Sequence, residues 1–256
     1  MAKNQPAPQD AVSARQAKIQ QATKGTHRGG PNPLVIAGVI ALVAIVAVVG
    51  FVVINNKNAA KAASEGGSAL PKGVSAMGQP FVRGTPKAGA PTLDIYEDFQ
   101  CPGCGQFERI LGSTVKEMAT SGDVQVRYHV MTFLDDNFQG KNSSRAANAA
   151  FCAADDGKFG EMHDLIYANQ PTQEGKGWTD EQLTTFAGQA GLTGAALDAW
   201  TTCYQKQDHN QYVVSMQDAT SKDGVTSTPT VRLNGKDLTL TNMDAAAFKK
   251  AVGMPP

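Results

Sequence analysis

Two cysteines separated by two residues, Cys101-Pro102-Gly103-Cys104, are the part of this sequence best equipped for chemistry. A thiolate is both a nucleophile and a soft metal ligand, so the pair could exchange disulfides or help to hold a metal. Thr92-Leu93-Asp94-Ile95-Tyr96 alternates like a strand and runs into the motif. Phe107, Ile110, Leu111, Val115 and Met118 then recur at helical spacing. Cys101 therefore opens a helix, where unpaired N–H groups and the helix dipole favour its thiolate. Pro102 suits the first turn because its missing N–H would be unpaired there anyway. Cys104 lies one turn on along the same face, at the roughly 5–6 Å spacing that a disulfide can span. This order predicts an exposed, attacking Cys101 and a more buried, resolving Cys104.

The metal reading is the weaker one. A structural zinc site needs four ligands. No second C-x-x-C exists, and His27, His129, His163 and His209 show no ligand spacing. No metal or other cofactor is expected. The remaining cysteines, Cys152 and Cys203, fall on apolar helix faces. Four cysteines fit one reactive pair plus one structural pair if the compartment is oxidising. Two buried free thiols are the alternative.

The elements that position these residues form one domain of a longer plan. The chain has 256 residues, 41% apolar and 18% charged, enough for a packed core. Its formal charge is zero but unevenly spread. Residues 1–33 hold five basic side chains and one acidic one, giving +4, and the remaining 18 basic and 22 acidic residues give −4. Nothing in this pattern suggests nucleic-acid binding. Residues 1–33 read as a disordered tail. Residues 34–54 form an uncharged run of 21 residues without a polar face, long enough to cross a membrane as a helix. Ala60-Lys61-Ala62 keeps a cleaved signal peptide open as the alternative. Lys3, Arg15, Lys18, Lys24 and Arg28 precede the run, and only Lys57 and Lys61 follow it closely. That bias predicts a single-pass cell-membrane protein with a cytoplasmic N-terminus and an extracytoplasmic remainder. Residues 55–79 read as a flexible linker, and the folded domain spans 80–253.

Within that domain Val124 to Val130 makes a second alternating strand, giving strand–helix–strand. A helical stretch follows over about 143–222, including a capping box at Thr179 and Gln182. Thr230 to Leu233 is a strand, Asn234-Gly235 a hairpin turn, Lys236 to Leu240 the returning strand, and Asp244 to Val252 a closing helix. Trp178 and Trp200 read as core residues, Asp155-Asp156-Gly157 as a helix end, and Glu161 and His163 as a solvated helix face.

Asp98-Phe99-Gln100-Cys101-Pro102-Gly103-Cys104, the pair Thr228-Pro229 and the Asn234-Gly235 turn together resemble the DsbA-like branch of the thioredoxin superfamily, over about 80–253. The resemblance implies an α/β thioredoxin-like fold with an inserted helical domain. It implies a cis Pro229 beside the cysteines, Thr228 offering backbone groups to an extended peptide, and a Cys152–Cys203 disulfide. Several members carry a buried, proton-transferring acid six residues before the first cysteine, where this chain has Ile95. Asp98 is the candidate for that role, or a solvated side chain. Gly103 replaces the histidine of the strongest oxidants, which implies milder oxidising power. The function implied is disulfide formation in exported cysteine-containing proteins, with recycling by a quinone-linked membrane partner. A reductase or isomerase of the same fold, or a membrane-tethered metal or thiol chaperone, stays open.

Overall fold

A computed structural model describes residues 66–240 and 243–255. The expected membrane span over 34–54 lies outside them, and no helix among the described residues is long and apolar enough to cross a membrane. The elements in chain order are β1 (Phe81–Arg83), β2 (Thr92–Glu97), α1 (Pro102–Ser121), β3 (Gln125–Val130), α2 (Phe133–Phe138), α3 (Asn142–Ala154), α4 (Phe159–Ala168), α5 (Asp180–Gln189), α6 (Ala195–Lys206), α7 (Asn210–Lys222), β4 (Thr230–Leu233), β5 (Lys236–Asp237) and α8 (Ala245–Ala251).

The strands form one sheet in the order β1-β3-β2-β4-β5. β2 and β3 are parallel, joined through α1, and the other pairs are antiparallel. Leu93 pairs with Val126 and Ile95 with Tyr128, and Val231 lies opposite Ile95, so one face carries an apolar row across the central strands. All five are buried. Because strand side chains alternate, Glu97 belongs to that same inward row.

α1 covers the row with Phe107, Leu111, Val115 and Met118, and ends at Gly122, whose φ of 71° is the left-handed conformation that favours glycine. Ile110, expected on the packed stripe, is 48% exposed. The helices from α2 to α7 form the block between the two halves of the sheet. Cys152 of α3 and Cys203 of α6 are joined by a disulfide, and Trp200 Nε1 donates to Ala149 O across the same pair of helices. At α5 the capping box is complete: Thr179 Oγ1 accepts from Gln182 N, and Gln182 Oε1 accepts from Thr179 N.

Four expectations need correction. β1 adds a strand that three residues are too few to signal by alternation. The helical block begins at Phe133, ten residues early, because α2 is a helix of six residues. The returning strand β5 spans only Lys236–Asp237. Residues 66–79 are not a free tether. Gly67 N and Ala69 N donate to Gln207 O and Asp208 O, Tyr212 OH donates to Gln79 O, and Leu70 and Val74 pack on the core. Small residues dominate this stretch and its hydrogen bonds use backbone groups, so only Leu70 and Val74 could have signalled the docking.

Candidate active site

The strand-to-helix junction places Cys101 as the N-cap residue of α1, in extended conformation, with Pro102 as the first helical residue. Cys104 is fully buried and Cys101 is 9% exposed. The order of accessibility is the expected one, but Cys101 is nearly covered rather than open. Its cover comes from the loop before β4, where the Thr228–Pro229 peptide is cis. Cys101 Sγ–H donates to the Thr228 carbonyl at 3.4 Å. A Cβ at Gly103 would stand 3.2 Å from Pro229 Cδ and 3.6 Å from Cys101 Sγ. Pro229 therefore packs directly against the turn between the cysteines, and a larger residue at 103 would press on it.

The two thiols are electrostatically unlike. Cys101 is pulled down to about 6, first by a hydrogen bond with Cys104, then by Thr228 and the backbone N–H groups of Cys104 and Gly103; partial burial opposes this. A carbonyl can only accept, so the Thr228 carbonyl orients the neutral thiol. The Thr228 hydroxyl, otherwise without a partner, is the group there that can donate to the thiolate. Cys104 is pushed well up by burial, then by the Cys101 charge and by Glu97.

Asp98 is fully buried, not solvated. Its carboxylate accepts from Gln100 N at 2.9 Å, Ser143 Oγ at 2.6 Å and Leu134 N at 3.2 Å, tying the active-site loop to the helical block. Burial raises it to about 7. It reaches Cys104 through its backbone N–H, whereas the carboxylate acting on Cys104 by charge is Glu97.

Glu97 was missed as a site residue, and so was its partner. His163 Nε2 bonds Glu97 Oε1 at 2.5 Å, and both side chains are fully buried. His163 Nδ1 lies 3.3 Å from Asp164 Oδ1, and Arg83 holds Asp164 with two bonds of 2.8 and 2.9 Å. Burial pulls the His163 imidazolium down, but the Glu97 and Asp164 carboxylates outweigh it and hold it at about 10. His163 is therefore a buried cation, not part of a solvated face. The sequence carried the signal: Phe159, Met162, His163 and Ile166 follow the i, i+3, i+4, i+7 spacing of one buried stripe.

Beside Gly103 and Pro229 an open groove of about 520 Å³ is walled by Phe107, Ile110, Leu111, Leu240 and Met243. Exposed Ile110 belongs to this wall. Metal-ligand geometry is found elsewhere: Glu97, Glu108 and His163 bring ligand atoms within 4.8 Å of one another, as do Cys152, Cys203 and His209, whose sulfurs are already bonded together. Among the described residues no third Cys, His, Asp or Glu ligand joins Cys101 and Cys104.

An asymmetric dithiol at a helix N-terminus, against a cis-proline and on a sheet interrupted by a helical block, defines a DsbA-like thiol–disulfide oxidoreductase. The chain belongs to the thioredoxin family, whose model matches residues 76–253. It is similar to MdbA from Corynebacterium diphtheriae, a thiol-disulfide oxidoreductase, with 25% identity, a TM-score of 0.56, and coverage of 71% of this chain and 95% of that one. It is similar to reduced DsbA from Mycobacterium tuberculosis, with 30% identity, a TM-score of 0.53, and coverage of 68% and 90%. Among curated proteins it resembles the serine/threonine-protein kinase PknE of Mycobacterium tuberculosis, 31% identical over 113 residues, 41% of this chain and 20% of the kinase. The chain thus spans about a fifth of the length of the curated relatives it matches.

Proposed function

We propose that this chain donates disulfides from Cys101–Cys104 to exported cysteine-containing proteins outside the cytoplasm. The observation that carries the reading is the geometry of the pair: Cys101 caps the N-terminus of α1 beside the cis Thr228–Pro229 peptide, which pulls its thiol down to about 6, and Cys104 is fully buried behind it, which pushes its thiol up. Stabilising the Cys101 thiolate stabilises the reduced enzyme, which makes the oxidised form the better electron acceptor.

In the reaction a substrate thiolate attacks Cys101 Sγ and the Cys101–Cys104 bond breaks. Its electron pair goes to Cys104, which takes up a proton. The substrate's second thiolate then attacks the substrate sulfur of the mixed disulfide, and Cys101 leaves as thiolate. Two electrons pass from the substrate thiols to the enzyme. Thr228 and Pro229 hold the extended peptide beside Cys101, and the groove at Ile110 takes its apolar side chains. Asp98, raised to about 7 and reaching Cys104 through its backbone N–H, is the acid that exchanges the proton, and its hydrogen bonds also organise the loop. Cys152–Cys203 staples the helical block.

The apolar run over 34–54 and the basic residues before it support a single membrane anchor, with residues 1–33 in the cytoplasm. A quinone-linked membrane protein would then reoxidise the pair. Replacing Cys101 with Ala should abolish oxidation of a reduced model protein, and the wild-type reduction potential should fall toward about −120 mV rather than about −270 mV. A value at the reductase end would overturn donation while leaving thiol exchange intact.

A further inference from the structure

Where α1, the end of β2 and α4 meet, Glu97, Glu108 and His163 bring their ligand atoms within 4.8 Å of one another. One imidazole and two carboxylates are donors that transition ions take. Three oxygens at this place are buried and without a partner: Glu97 Oε2, Glu108 Oε1 and the Tyr167 hydroxyl. Glu97 is fully buried and Tyr167 is 3% exposed. Tyr167 feels the charges of both Glu97 and Glu108, so its hydroxyl belongs to the same cluster. Buried polar atoms normally find partners. The proton on His163 supplies one only to Glu97 Oε1.

His163 is also oriented as a ligand is oriented. Its ring is wedged among Phe99, Tyr128, Phe159 and Tyr167. Nδ1 lies 3.3 Å from Asp164 Oδ1, and Arg83 holds that carboxylate with two bonds. An imidazole whose Nδ1–H is held by a carboxylate presents Nε2 as its donor atom, the common arrangement behind metal-bound histidine. The cluster has an entrance as well. Glu108 is half-buried and lines an open cleft of about 310 Å³ with Arg109, Lys116, Asp164 and Tyr167.

We propose that Glu97, Glu108 and His163 form a binding site for a divalent first-row transition ion such as Zn²⁺, entered from the cleft beside Glu108. Three protein ligands leave a fourth position to water from the cleft, with the Tyr167 hydroxyl as its hydrogen-bond partner. Bonds of about 2.0–2.2 Å set tetrahedral ligand atoms about 3.3–3.6 Å apart. His163 Nε2 and Glu97 Oε1, 2.5 Å apart around a proton, separate as the ion replaces that proton, and the Glu108 carboxylate closes in. His163 releases its proton to solvent, as does Glu108 where it carries one. The ion takes over from the imidazolium as the cation that neutralises Glu97. Ca²⁺ and Mg²⁺ are disfavoured, because they take oxygen ligands. The site contains neither active cysteine, so it stands apart from the thiol-exchange reading.

The test uses the oxidised full chain in detergent, in which the Cys101–Cys104 bond removes both thiols as competing ligands. After incubation with Zn²⁺ and desalting, elemental analysis should find one ion per chain. Co²⁺ in its place should give the visible absorption of a four-coordinate site with nitrogen and oxygen ligands, and excess Ca²⁺ or Mg²⁺ should displace neither ion. Glu108→Gln should lose the ion. Asp164→Asn keeps all three ligands but loosens the imidazole, and should weaken binding by about 10–100-fold. Glu108 is half-buried and the Asp164 side chain is 33% exposed, so neither change empties the core. A wild-type chain that retains no ion would remove the site. Zn²⁺ held equally well by Glu108→Gln, or bound as tightly by Asp164→Asn, would place the ion elsewhere and overturn the proposal.

Discussion

The side-chain amide of Gln170 donates to the carbonyl oxygen of Cys101 at 2.8 Å, and also to that of Phe99 at 2.8 Å. Gln170 follows α4, so the helical block grips the two peptide groups that flank the entry to α1. Gly105 makes room for this grip, since a Cβ there would lie 2.1 Å from Gln170 Oε1. Gln170→Ala removes both bonds from a loop held rigid beside the nucleophile. It should lower stability by about 1–2 kcal/mol, read by urea unfolding, and change the alkylation rate of Cys101. Gly105→Ala should act in the same direction by displacing Gln170. Unchanged unfolding and alkylation in both variants would remove Gln170 from the site.

Cys101 fixes the sign of one pH dependence. Its thiol titrates at about 6 in the folded chain, below the ordinary 9.0. A group depressed in this way stabilises the folded reduced form fully above its unfolded value, and that stability is lost as pH falls through about 6. The oxidised form has no thiol to titrate and lacks this contribution. The stability of the reduced chain relative to the oxidised chain should therefore rise between about pH 6 and 9. Parallel urea titrations of the two redox forms measure it, and parallel curves would contradict the depressed thiol.

Much of this site was readable before any coordinates. The C-x-x-C at a strand-to-helix junction is local, and Thr179 with Gln182 completes a cap within one turn. Periodicity also held Glu97 and His163, since Glu97 continues the inward row of Leu93 and Ile95, and His163 shares the stripe of Met162 and Ile166. They were passed over because charged types are normally exposed, a rule that fails when two opposite charges are buried as a pair. Gln170 carried no such sign. Its role arises from contacts between the entry to α1 and the residue after α4, some seventy residues apart, which no local pattern encodes. The backbone docking of residues 66–79 was hidden for the same reason.

The Glu97–His163 pair should respond to pH in the opposite sense to Cys101. His163 is raised from 6.5 to about 10 on folding, although burial opposes the rise. Its contribution is full below about 6.5 and is lost as pH rises through about 10. His163→Leu leaves the Glu97 carboxylate buried without its cation and should cost about 3–5 kcal/mol near neutral pH. The oxidised form is the right sample, because Cys101 is silent there. A variant that unfolds at the wild-type urea midpoint would show that the pair is not ionised.

The disulfide of the helical block gives a prediction of stability without a prediction of activity. Cys152 and Cys203 are 51 residues apart and join α3 to α6. Closing a loop of that length contributes about 4 kcal/mol in the chain-entropy model. The double variant Cys152→Ser, Cys203→Ser should unfold at markedly lower urea, while Cys101 keeps its titration near 6, since neither serine lies among the groups that set it. Order of reduction provides the second check. Cys152 is 1% exposed and Cys203 7%, whereas the Cys101–Cys104 bond releases a stabilised Cys101 thiolate when it is reduced. Dithiothreitol added stepwise should therefore open Cys101–Cys104 first, with Cys152–Cys203 surviving until the domain unfolds. Alkylation of the partly reduced chain followed by mass spectrometry separates the two, and simultaneous loss of both bonds would mean that the helical block opens together with the active site.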